Sequence, residues 1–122
     1  LKKDKENENR TEAREKMMVI AAALDEYFLT ANGTFDIESF NAFRDSVILN
    51  NIKIAPEDTL RPARFYTDDF ANLSNFLPEG FENSSPPNGK NFMIFSKDSS
   101  YYVIYDPNGY GTVLNGKPLW ME

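Results

Sequence analysis

The sequence predicts an α+β fold: a long N-terminal helix packed on a small C-terminal antiparallel sheet, with a short second helix and a long irregular loop between. Three observations carry this. Apolar residues recur at helical spacing from Ala13 to Phe28 with no Pro or Gly among them. Five of the seven prolines fall in residues 53–91. The last thirty positions alternate short β-branched and aromatic runs with Asn-Gly and Asp-Pro turns.

Residues 1–10 are polar and lack a core stripe, which reads as a solvated helix start or a frayed terminus. Residues 11–122 then form one domain. From Thr11, the spacing of Ala13, Met17, Ile20, Ala21, Leu24 and Phe28 predicts a helix to about Ala31, with Met18, Val19 and Ala22 widening its apolar surface. Asn32-Gly33 supplies a left-handed stop. A second helix is expected from an Asp36 cap, with Ile37, Phe40, Phe43, Val47 and Ile48 as its apolar side and Asn50-Asn51 as its end. Phe65, Tyr66, Phe70, Phe76 and Phe81 would pin the irregular stretch, or a short helix near Asp68–Phe76, to the core. Strands are predicted at residues 92–95, 101–105, 112–114 and 117–121. Lys97-Asp98-Ser99-Ser100, Asp106-Pro107-Asn108-Gly109 and Asn115-Gly116 are the turns, and Pro118 belongs on an edge.

Composition narrows function. The 122 residues suit one domain, and 41% apolar with ten Phe and six Tyr suffices for a core. A net charge of −6 disfavours nucleic acid and anionic membrane surfaces, which call for a basic face. With no His and no Cys, Ser-His-Asp and Cys-His centres, disulfides and Cys-based zinc sites are excluded. No apolar run approaches the roughly 20 residues that span a bilayer.

The segment Ala22-Ala23-Leu24-Asp25-Glu26-Tyr27-Phe28-Leu29-Thr30-Ala31-Asn32-Gly33-Thr34-Phe35 resembles the joint of type IV pilins and type II secretion pseudopilins, where a long helix ends and a globular head begins. On that resemblance Leu24, Tyr27, Phe28, Asn32, Gly33 and Phe35 correspond to the joint and its helix packing. Asp36 stands where the family often has Pro, and no disulfide can close a C-terminal loop. The resemblance implies a non-enzymatic filament subunit of a pilus or pseudopilus, extracytoplasmic and held in the inner membrane by an apolar helix half upstream of Leu1. Its partners would be other subunits, met through the N-terminal helix. The alternative is a small extracytoplasmic ligand-binding module of unrelated α+β fold.

No cofactor is expected. Asp106 and Asn108 are weak calcium candidates on the resemblance to secretion pseudopilins, set against a plain hairpin turn; one carboxylate and one amide fall short of the six to eight oxygens calcium takes. Asp68-Asp69 with Glu57-Asp58 could pair as catalytic carboxylates, but adjacent Asp residues in polar loops more often cap or stay solvated. Asn32, Asn72 and Asn83 match the glycosylation pattern at a frequency close to chance. Tyr66, Tyr110 and Trp120, near turns or ends, are the plausible exposed contacts.

Overall fold

The computed structural model describes residues 2–31, 38, 40–51, 63–98 and 101–120. Helix α1, Lys2–Thr30, is 29 residues long and unbroken. At 1.5 Å per residue that is about 43 Å, longer than a domain of this size is wide. It starts well before residue 11. The first turns carry no core stripe, but Asp4 favours the helix N-terminus and Lys5 meets Glu8 at 3.9 Å. Propagation from the anchored part then adds a bond per residue without a new nucleus.

Core burial begins at Ala13. Ala13, Met17, Ile20, Ala21, Leu24 and Phe28 are all buried, as the periodicity predicts, and Ala23 joins them. Met18 and Ala22 face solvent instead, and Val19 is half-buried.

The second helix departs from its predicted start. Helix α2 is Ser46–Asn51, and its cap is Asp45, whose Oδ1 accepts from the Val47 amide at 2.9 Å. The reason is tertiary. Phe43 is claimed by an antiparallel bridge to Tyr66, with amide-to-carbonyl distances of 2.7 and 2.9 Å, so the chain stays extended there. Phe40, off the helix, is buried in the core. Asp36 and Ile37 lie outside the described residues.

Five strands follow: β1 Phe65–Thr67, β2 Met93–Asp98, β3 Tyr101–Tyr105, β4 Thr112–Leu114 and β5 Lys117–Pro118. They form one antiparallel meander in the order β1-β2-β3-β4-β5. Strand β1 falls in the stretch read as irregular. Three residues are too few to show a period, and pairing with β2 defines them. Lys97 and Asp98 belong to β2, not to the turn. The last strand stops at Pro118, on the edge. Residues 71–73 form a single 3-10 turn.

The sheet is apolar on both faces. Phe92, Ile94, Tyr102, Ile104 and Val113 pack with α1. Phe95, Tyr101 and Val103 point the other way, against Ile48 and Leu49 of α2. That explains why β3 reads as a continuous buried run rather than as alternation. At the β4–β5 hairpin, Asn115 and Gly116 take φ of 51° and 85°, the twist a two-residue hairpin demands.

Candidate functional site

Where α1 ends, its last turns are locked to the sheet by aromatics. The Phe28 ring lies 5.1 Å from that of Tyr102. Tyr27 stands edge-on to Phe40 at 4.9 Å. Leu24 is fully buried beneath them. Beside this contact the Tyr102 hydroxyl donates to Asp25 Oδ1 at 2.5 Å, and Asn115 holds the Tyr102 backbone at 2.8 and 2.9 Å. Of the joint residues, Asn32, Gly33 and Phe35 lie outside the described residues.

Burial first, then the hydrogen bond to Asp25 and its charge, push the Tyr102 hydroxyl well above its ordinary value of 10. The unfolded chain gives up this proton near pH 10 while the folded chain keeps it. Tyr102 therefore contributes stability that is complete below pH 10 and is lost as the pH climbs through the raised value. Urea midpoints measured from pH 8 to 11 should fall less steeply for Tyr102→Phe than for the parent chain; equal slopes would refute the coupling.

Further toward the start of α1, two basic side chains fasten the helix to loops. Arg14 Nε donates to the Tyr110 carbonyl at 2.9 Å, with its guanidinium 5.1 Å from the Trp120 ring centre. Lys16 Nζ donates to the Ser84 carbonyl at 2.8 Å. Trp120 is pressed onto Gly111, where an added Cβ would sit 2.5 Å from the indole and 3.1 Å from Met17. Gly111→Ala should displace Trp120 from Arg14, shift its fluorescence to the red and lower stability by about 1–3 kcal/mol. An unchanged emission maximum would contradict the packing. Tyr110 and Trp120 are thus half-buried staples, not the free contacts their positions near turns predict.

Two turns are tied by a polar knot. Asp106 is fully buried, and its carboxylate accepts from Ser85 Oγ at 2.7 Å, the Asn108 amide at 2.9 Å and the Tyr110 amide at 3.1 Å. Asn108 Nδ2 donates to the Pro86 carbonyl at 3.0 Å, and Asn88 Nδ2 donates to Asn108 Oδ1 at 2.9 Å. Both Asp106 oxygens are aimed at donors, so a cation would have to displace them. Millimolar calcium should move the melting temperature by less than about one degree relative to chelator, since a site binding only the folded state adds RT ln(1 + [L]/Kd). A rise of several degrees that vanishes in Asp106→Ala would establish a calcium site at this turn.

The chain matches no family model, no curated protein and no solved structure.

Among the remaining sequence candidates, the described residues Tyr66, Asp68, Asp69 and Asn83 are half-buried and engaged in local bonds and ring contacts. Asp69 caps the 3-10 turn, accepting from the Ala71 amide at 3.0 Å and the Asn41 amide at 3.1 Å; those bonds, in that order, hold its carboxyl below the usual carboxylate range. The Asp68 carbonyl accepts from Asn83 at 2.8 Å. Glu57 and Asp58 lie outside the described residues. Asn83 is turned inward, bracketing Phe92, which leaves its amide committed. Tyr66 is half-buried between Phe43 and Phe95 at 5.6 and 5.9 Å. Sequence reasoning missed Ser85, the partner of Asp106; nothing local marks a serine that pairs with a residue 21 positions away.

Every Asp and Glu of α1 is exposed, as is Lys5, whereas Arg10, Arg14 and Lys16 are half-buried. On the solvent side Met18, Ala22 and Leu29 are exposed, Leu29 by 83%.

Proposed function

We propose that this chain is the head of a filament subunit of the type IV pilin or type II secretion pseudopilin kind, a structural protein that acts by assembly and not an enzyme. One observation carries the reading: α1 is a stem. Its residues from Ala13 to Phe28 are anchored in the head, on one face of an antiparallel meander, while residues 4–8 are exposed. The resemblance of residues 22–35 to the family joint supports the same reading. So does the chemistry. A chain without His or Cys has few groups for catalysis, Asp69 is occupied in capping, and the Ser85–Asp106 pair is enclosed.

On this reading the precursor carries an apolar segment of roughly 20 residues before α1, which anchors it in the inner membrane and afterwards packs against other subunits. No described helix of this chain is itself long and apolar enough to cross a membrane. On the same reading the filament lies outside the cytoplasm.

The test uses the full-length product in its own cells. A short basic leader, a Gly-Phe-type junction and an apolar run upstream, with the protein recovered in sheared filaments or a cross-linked membrane assembly, is the expected result. An ordinary cleaved signal peptide and a freely released monomer would overturn the reading and favour a small extracytoplasmic binding module.

A further inference from the structure

Met18, Ala22 and Leu29 are spaced i, i+4 and i+11, so they share one exposed stripe of α1, rotated away from the stripe buried in the head. Glu15, Asp25 and Glu26 flank that stripe, all exposed. Among the described residues, the two bases of α1 next to Glu15 in sequence are engaged elsewhere: Arg14 with the Tyr110 carbonyl and Trp120, and Lys16 with Ser84. The result is a narrow apolar ridge between fixed negative charges.

Building on the filament-subunit reading above, we infer that this ridge docks a Lys- or Arg-bearing amphipathic helix of a different chain, not a second copy of this one. Charge complementarity decides between the two. Two copies packed side by side through the ridge would set the same carboxylates against each other, and like charges across an interface oppose association. A helix with an apolar seam and flanking bases covers Leu29 and Met18 while pairing Glu15 and Glu26, the geometry of helix recognition through i, i+4 anchors. In a filament, this chain would then be a subunit that enters beside a basic partner rather than the unit of a homopolymer.

The full-length protein carrying the photo-crosslinker p-benzoylphenylalanine at position 22 tests this in its own cells, with position 97 as control. The expected product is a cross-link from position 22 to a Lys- or Arg-containing peptide of another chain, identified by mass spectrometry. Its yield should drop at least about fivefold in a Glu15→Lys, Glu26→Lys variant and on raising salt in isolated assemblies, because exposed pairs are screened. A Glu15→Gln, Glu26→Gln variant with a parent-like melting curve should show a smaller drop, which separates charge from folding. A cross-link from position 22 to this same chain overturns the inference and leaves the filament reading standing. So does a filament-incorporated protein that gives no cross-link there. Absence of the protein from any assembly overturns the filament reading and the inference with it.

Discussion

Leu24→Ala should destabilise the head by about 2–5 kcal/mol, a large part of the roughly 5–15 kcal/mol that holds a domain of this size together. Leu24 is fully buried where the helix crosses the inner sheet face, in one cluster with Phe28, Tyr102 and Val113. Truncation removes the transfer free energy of the lost methylenes and leaves a cavity, and a helix pinned by the Phe28–Tyr102 contact and by Asp25 can close only part of it. Leu29→Ala supplies the comparison. The same truncation five positions on, at a side chain 83% exposed, should change stability by less than about 0.5 kcal/mol. Urea melts of both variants, with unchanged slope, make the measurement. Similar losses at the two sites would mean that α1 does not use this face against the sheet.

How legible the fold is in the sequence depends on the reach of each interaction. The anchored half of α1 is legible because a single helical period, 13-17-20-24-28, encodes both the element and its buried side, and every one of those positions is buried. The β4–β5 hairpin is legible because Asn115-Gly116 states its own backbone conformation. What escapes is what distant pairing decides. Phe43 has a helical spacing to Phe40 and Val47, yet it is held extended by Tyr66, and so the helix waits for Asp45. Strand β1 exists as a strand through its register with β2. Met18 and Ala22 are apolar and adjacent to the buried stripe, but their direction around the helix, not their hydrophobicity, puts them in solvent. The candidate surface is legible only in part for the same reason. The acidic residues of α1 are plain in the sequence, whereas the engagement of Arg14 and Lys16 by loops 84 and 110, which draws those two bases away from Glu15, is a tertiary fact.

Asp106→Ala should lower stability by about 3 kcal/mol or more, the largest effect expected of any polar substitution described here. The sequence identifies residues 106–109 as a turn, and Asp at its first position is the ordinary choice for one. The structure asks more of this residue than an exposed turn would. Its carboxylate is fully buried and serves donors from two loops: Ser85 Oγ at 2.7 Å, and the Asn108 and Tyr110 amides at 2.9 and 3.1 Å. Removing it strands one buried hydroxyl and two backbone amides, each worth about 1–3 kcal/mol when left unpaired, with water recovering a share. Asp106→Asn keeps the volume and one acceptor but turns an NH₂ toward a donor, so it should fall between Ala and the parent. Ser85→Ala removes a donor and leaves two of the three bonds, so its loss is smaller; combined with Asp106→Ala it should show a coupling of about 0.5–3 kcal/mol, since the two side chains touch. Amide exchange gives the local readout: the Asn108 and Tyr110 amides should lose protection selectively in Asp106→Ala, and the Arg14 bond to the Tyr110 carbonyl should loosen with them. If Asp106→Ala melts within 1 kcal/mol of the parent and those amides keep their protection, the knot is not what joins the 85–90 and 106–110 turns to the stem.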